Sequence, residues 1–259
     1  LTFTCGLGME GAAIATVAGQ GIVFAIQLIH FFTRKNTISF VRVTALLKQG
    51  KQIISIGFSS FICSVGMGVL IVLFNNQIMR YLGSRELAVY GVASSLFILV
   101  QTFSYGIGNA AQPIVSENLG ARQWDRIRET KNWGCIVAAA MGITATVASL
   151  LFPTEIVSLF MKASEEVTAI APSILRQYFI CLLFVPFNVF AAYYLQAVKQ
   201  VGQSVAVSVL RGFLLSGLLV YIFPIWLGPD SIWFVMVGAE CVTAIAAVYL
   251  LNQKIQKGA

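Results

Sequence analysis

Seven long apolar runs divide this chain, and the basic residues between them are distributed to one side. The runs cover roughly 8 to 33, 52 to 79, 88 to 113, 134 to 153, 167 to 198, 203 to 226 and 231 to 251. Each is long enough to cross the ~30 Å hydrocarbon core of a bilayer, which takes about 20 helical residues. Threaded alternately, they place Arg34, Lys35, Arg42, Lys48, Lys51, Arg122, Arg126, Arg128, Lys131, Lys199, Lys254 and Lys257 on one side. The other side receives only Arg80, Arg85 and Lys162, while Arg176 and Arg211 stay inside runs. Segments rich in Lys and Arg remain cytoplasmic, so the expected topology has the N-terminus outside and the C-terminus inside. The predicted fold class is all-α, a polytopic membrane protein with seven transmembrane helices.

Composition narrows the function classes. With 58% hydrophobic and 10% charged residues, the chain is far from the soluble balance of about a quarter charged. The net charge of +7 would suggest nucleic acid in a soluble domain. Here the basic residues sit at span ends, where they meet anionic lipid headgroups, and no nucleic-acid partner is expected. Cys5, Cys63, Cys135, Cys181 and Cys241 are odd in number and include no Cys-x-x-Cys, so free thiols are expected, without a metal site or a disulfide framework. The N-terminal segment lacks the basic region and short apolar core of a signal peptide. Nor does any phosphate loop, metal-ligand cluster or nucleophile-base pair announce covalent chemistry, so the chain reads as no enzyme and as needing no cofactor.

An internal match suggests how the helices are organised. GMEGAAIATVAGQ (Gly8 to Gln20) and GPDSIWFVMVGAE (Gly228 to Glu240) align without a gap at an offset of 220 residues. Each opens on Gly, carries an acid two positions later (Glu10, Asp230) and runs from outside to a basic inner flank (Lys35, Lys254). Internal repeats of this kind are a property of transporter folds. The implied unit is six helices. Residues 1–33 would then be the last helix of an N-terminal lobe, 34–51 a cytoplasmic interlobe linker, and 52–259 a complete six-helix C-terminal lobe. About five further helices would precede Leu1. The linker, RKNTISFVRVTALLKQGK, mixes Ile38, Val41, Ala45 and Leu46 with basic residues and suits either an interfacial helix or a basic loop.

Several segments in order resemble the multidrug and toxic compound extrusion (MATE) family. GIGNAAQPIVSENLGARQWDRIRE (Gly106 to Glu129) is similar to its eighth span and following loop, the opening segment to its sixth, and Pro186 to Pro224 to its tenth and eleventh. Glu117 departs from the pattern, which usually has an aromatic residue there, and so does Gln200 after Lys199. The resemblance covers nearly the whole chain as spans six to twelve of twelve. It implies a monomeric plasma-membrane antiporter that performs xenobiotic export, moving organic cations or other amphipathic drugs in exchange for Na⁺ or H⁺. Some members place acids in spans seven and ten, but here none lies between Gln52 and Met79 or between Thr168 and Val198. Asn188 stands roughly where span ten would offer one, and an amide can coordinate Na⁺ but cannot titrate.

The residues themselves mark the candidate site. An ionised group at the bilayer centre costs about 2.5 to 3.5 kcal/mol on insertion scales, so each needs a partner or a wet cavity. Glu240 lies about 10 residues, or roughly 15 Å, below the outer end of the last run. Depth favours Arg176 as its partner, and chain adjacency favours Arg211. The pair either holds helices together or offers Glu240 to a cation or drug. Gln101, Asn109, Gln112, Asn75, Tyr178, Asn188 and Gln196 occupy similar depths, where bridging helices is the commoner role. Phe61, Met67, Tyr105, Phe184 and Phe187 could floor an adaptable apolar cavity or simply pack. The substrate and ion-cavity candidates are therefore Gln101, Tyr105, Asn109, Arg176, Asn188, Arg211 and Glu240. Pro186 is expected to kink its span and Pro113 to do so near a cytoplasmic end. Gly120 fits a helix stop, with Trp124, Ile127 and Lys131 on one face of a new helix after it. His30 and Trp124 are expected at the headgroups. Two other classes remain open: a flippase for lipid-linked saccharide or peptidoglycan precursors, and a seven-helix receptor. The first would need a strongly basic cavity.

Overall fold

In lipid every backbone N–H and C=O must find a partner inside the protein, and a long apolar run satisfies that only as a helix. The computed structural model is all-helical among its described residues, which are 8–32, 50, 65, 66, 68–160 and 165–253. Most of the connector 34–51, together with Phe61, Met67, Lys162, Lys254, Lys257 and the His30 side chain, lies outside them.

The chain forms two compact units, Leu1–Ile53 and Ile54–Ala259. The first contains α1 (Gly8–Phe31). The second contains α2 (68–81), α3 (Ser84–Gly120), α4 (Trp124–Leu151), α5 (Pro153–Phe160), α6 (Glu165–Tyr178), α7 (Val185–Ala197), α8 (Val201–Val209), α9 (Leu215–Leu227) and α10 (Val235–Leu251). Five stretches are long and apolar enough to cross a membrane: Ser84–Gly120, Trp124–Leu151, Glu165–Ala197, Val201–Leu227 and Pro229–Leu251. They cover the last five apolar runs, apart from the final one or two residues of runs 134 to 153 and 167 to 198. Only the later part of run 52–79 is described, and α1 carries an apolar stretch of Ala13–Ile29.

Two helices exceed their runs at the basic end. Helix α3 stops at Gly120, and the new helix that begins at Trp124 is the spanning helix α4 itself. Ile127 is fully buried in its first turn. Trp124, expected at the headgroups, is half-buried against the core. Two tertiary contacts show which helix ends lie together. Arg85 and Glu166 pair at 3.0 Å, joining the starts of α3 and α6, and Lys131 Nζ donates to the Leu251 carbonyl at 3.4 Å, joining the start of α4 to the end of α10. Arg122, Arg126, Arg128, Lys131 and Lys199 thus occupy the end opposite Arg80 and Arg85.

Helix α7 is the centre of the bundle: ten of its thirteen residues are buried. The span containing it is broken. Helix α6 passes into a 3₁₀ segment, Phe179–Leu183, and α7 restarts with Pro186 in its first turn. Proline has no N–H for the carbonyl four residues back and clashes with it, so the α-helical ladder is interrupted at this point. Gly142 of α4 packs against the break, because a Cβ there would stand 2.6 Å from the Leu183 carbonyl oxygen. Pro113 behaves differently: α3 is helical on both sides of it through to Gly120.

The core is in two parts. One apolar cluster includes Phe74, Tyr90, Phe97, Tyr178, Val189, Val220 and Trp233 toward the Arg85 end. The other includes Val115, Ile127, Phe190, Leu195, Val207 and Leu251 toward the Lys131 end. Between them on α3, α7, α9 and α10 and in the turn before α9 lie buried polar residues: Gln101, Ser104, Asn188, Arg211, Ser216, Glu240 and Thr243.

Candidate functional site

The polar layer is organised around one carboxylate. Glu240 projects from α10 and is 1% exposed. Arg211 Nη2 donates to its Oε1 at 2.8 Å, and Arg211 Nε to Oε1 and Oε2 at 3.2 and 3.3 Å. From the other side Asn188 Nδ2 donates to Oε2 at 2.7 Å and to the Glu240 main-chain carbonyl at 2.8 Å. A buried carboxylate needs its lone pairs satisfied and its charge opposed, and these contacts do both. Between Arg176 and Arg211, the partner of Glu240 is Arg211.

Local backbone geometry explains why. Arg211 sits in a π-helical segment, Leu210–Leu214, between α8 and α9. A π turn inserts an extra residue into the helix and rotates the residues beyond it, a device common at functional sites. The Ser216 hydroxyl donates to the Arg211 carbonyl at 2.9 Å and so occupies an acceptor in the widened turn. Asn188 is brought in by the break before α7, in whose first turn it lies. Its Oδ1 is buried and has no partner among the described residues. Arg176, by contrast, is exposed and donates from Nε to the Leu150 carbonyl at 3.3 Å, away from the layer.

Arg211 also forms part of a cavity wall. A cavity of about 120 Å³ is lined by Gln101, Tyr105, Val189, Ala192, Tyr193, Ser208, Arg211 and Gly212. Gln101 Nε2 donates to the Tyr105 hydroxyl at 2.8 Å, and the rings of Tyr105 and Tyr193 are 6.0 Å apart. Glu240 does not line it. Of the sequence candidates, then, Gln101, Tyr105, Asn188, Arg211 and Glu240 come together in one connected site. Asn109 is exposed on α3 outside it, as Arg176 is on α6. Gln112 lies toward the basic end, where its Nε2 donates to Gln196 Oε1 at 3.1 Å. Tyr193 and Ser208 are lining residues that the sequence did not single out. The available signal was helical spacing: Val189, Ala192 and Tyr193, like Ser208, Arg211 and Gly212, recur at i, i+3, i+4 and share a face. Phe184 and Phe187 line a separate apolar groove of about 470 Å³ with Ile143, Cys241 and Ile245.

A broken central span, a π segment and a charge pair at mid-depth are features of helices that bind something within a membrane. The MatE family model matches residues 58–222. The chain belongs to the MatE family. Among curated MatE relatives, the multidrug export protein MepA of Staphylococcus saprophyticus is 24% identical over 265 residues, covering 98% of this chain and 57% of that protein. The probable multidrug resistance protein YoeA of Bacillus subtilis is 25% identical over 164 residues, covering 61% of this chain and 35% of its own length. The fold is similar to an outward-facing multidrug resistance MATE transporter, with a TM-score of 0.84 at 20% identity, over 98% of this chain and 57% of that one. The chain thus spans little more than half the length of MepA.

Proposed function

We propose that the full-length protein is a plasma-membrane antiporter that exports organic cations and other amphipathic drugs in exchange for Na⁺ or H⁺. In this reading residues 1–33 are the last helix of a first lobe, 34–51 the linker and 52–259 the second lobe. The MatE match over 58–222 carries the proposal and supports a transporter over an enzyme. The end bearing Arg122, Arg126, Arg128, Lys131 and Lys199 faces the cytoplasm, because that distribution of Lys and Arg sets orientation.

Glu240 is assigned here as a structural counter-ion and not as the coupling carboxylate. Its acceptor positions face Arg211 and Asn188, and binding Na⁺ or a proton there would first have to release a buried guanidinium. In this reading the coupling ion binds outside this polar layer. The flippase reading is the weaker alternative: a pyrophosphate headgroup calls for unspent cationic charge, and Arg211 is already neutralised by Glu240.

The test is ethidium export from energised cells expressing the full-length protein. Export that stops when the Na⁺ and H⁺ gradients are both collapsed supports antiport; export that continues without either gradient refutes it.

A further inference from the structure

The cavity beside Arg211 has a polarity that the exporter reading leaves unexplained. Its wall contains one permanent charge, opposed by Glu240, but one nitrogen of that guanidinium still has its donors to spare. The guanidinium engages Glu240 through Nε and Nη2, while Nη1 has no hydrogen-bond partner among the described residues. A guanidinium can only donate. The hydroxyls of Tyr105, Tyr193 and Ser208 can donate or accept, and Gln101 gives its Nε2 to Tyr105 and keeps an acceptor in Oε1, so Arg211 is the charged donor of the described lining. Its side chain is 9% exposed and held against a carboxylate that is 1% exposed, so the donor edge is rigid.

Size and net charge define what fits. At about 120 Å³ the space is well below the 300 Å³ or more of a pocket that encloses a whole drug. It holds one substituent. A cationic group, which can only donate, would face the donor edge of Arg211 and find no anion in the lining to pair with. A carboxylate would gain little, since Glu240 has already neutralised Arg211 and would oppose a second negative charge behind it. A neutral oxygen acceptor gains a charge-assisted hydrogen bond and keeps the layer neutral. Tyr105, one of the lining residues, is 38% exposed.

We infer that this cavity receives a carbonyl oxygen, as in an ester or amide, carried by the amphiphile that the protein transports. The inference rests on the exporter reading and adds a second recognition element to it: the cationic body lies elsewhere and the carbonyl substituent is read by Arg211 Nη1 with Tyr105 and Ser208. Specificity then follows from a donor left without a partner among the described residues.

Three dyes that share one cationic ring system separate the possibilities. Tetramethylrosamine has no oxygen substituent on its phenyl ring, tetramethylrhodamine methyl ester has a neutral ester there, and tetramethylrhodamine has a carboxylate. Binding to the purified full-length protein is measured by fluorescence anisotropy, and the readout is the affinity ratio within each variant. The wild-type protein should bind the ester about tenfold more tightly than rosamine, the gain from a hydrogen bond to a charged donor. Arg211→Lys keeps the charge opposite Glu240 but loses the second edge, and should bring the ratio close to one. If that variant does not fold, the doubly substituted Tyr105→Phe, Ser208→Ala protein keeps the ion pair intact and should lower the ratio several-fold. Equal affinities for ester and rosamine overturn the inference while the exporter reading stands. A carboxylate dye bound most tightly overturns it in favour of an anion site. Absence of binding by all three dyes refutes the exporter reading together with this one.

Discussion

Substituting Glu240 by Gln leaves Arg211 charged and buried, and the consequence can be worked from the geometry. The charges are 2.8 Å apart, with side chains 9% and 1% exposed. At an effective dielectric of 20 their gross attraction is about 6 kcal/mol, most of it offset by the several kcal/mol each ion loses in leaving water. The intact pair therefore adds little net stability, but removing one partner exposes the desolvation cost of the other, about 3 to 5 kcal/mol. Glu240→Gln still offers an oxygen to Asn188, so the loss falls on Arg211. At roughly 2 to 4 °C per kcal/mol for a unit of this size, the midpoint of unfolding in detergent should drop by about 10 °C. Arg211→Met alone should cost a similar amount by leaving the carboxylate unpaired. The double variant, Arg211→Met with Glu240→Gln, removes both charges and should recover most of the loss, giving a coupling of about 3 kcal/mol. The assay is thermal unfolding and monodisperse yield of the full-length protein for the four members of the cycle, with ethidium efflux per molecule. Glu240→Gln protein obtained at full yield but without efflux would refute the structural assignment and make Glu240 the cation site.

Two further substitutions and one labelling experiment probe the same geometry. Gly142→Ala places a Cβ 2.6 Å from the Leu183 carbonyl, a backbone atom that cannot swing away, so it should destabilise by about 1 to 3 kcal/mol, read as a lower unfolding midpoint. Lys199 holds φ at 63° in the turn between α7 and α8, a left-handed conformation that costs a residue with a Cβ about 1 kcal/mol; Lys199→Gly should therefore leave the midpoint unchanged or raise it slightly, and a clear drop would contradict the strain. In a background without the five native cysteines, single cysteines at Gln123 and Asp230 should react with an impermeant maleimide from opposite faces, Gln123 only from the cytoplasm. Labelling of Gln123 in intact cells would invert the orientation.

The helices were legible because length and apolarity leave a membrane-spanning run little alternative. Pro186 also marked its break, since the missing N–H is a property of the residue and not of its surroundings. The π segment around Arg211 carries no such mark: LRGFL reads as ordinary helix, and the extra residue shows only in the backbone. That is why depth and adjacency pointed to different arginines for Glu240. The widened turn re-aims Arg211, while Arg176 faces outward to a main-chain carbonyl. Asn188 was singled out as an amide standing where an acid was expected, but its two hydrogen bonds to Glu240 depend on the packing of α7 against α10, which no single helix encodes. Tyr193 and Ser208 escaped because tyrosine and serine within apolar helices commonly bridge to neighbours, and only their shared faces with Val189 and Arg211 distinguish them. The layering of polar residues between two apolar clusters was foreshadowed by the mid-run depths of Gln101 and Glu240.

The most direct test of the central claim is transport by the purified full-length protein in proteoliposomes, with a Na⁺ or H⁺ gradient imposed and ethidium as the moving species. An antiporter moves ethidium against its own gradient, driven by one of the two ions, and stops when that ion is equilibrated. Liposomes in which ethidium does not move under either gradient, while a lipid-linked saccharide is translocated between leaflets, would contradict the claim.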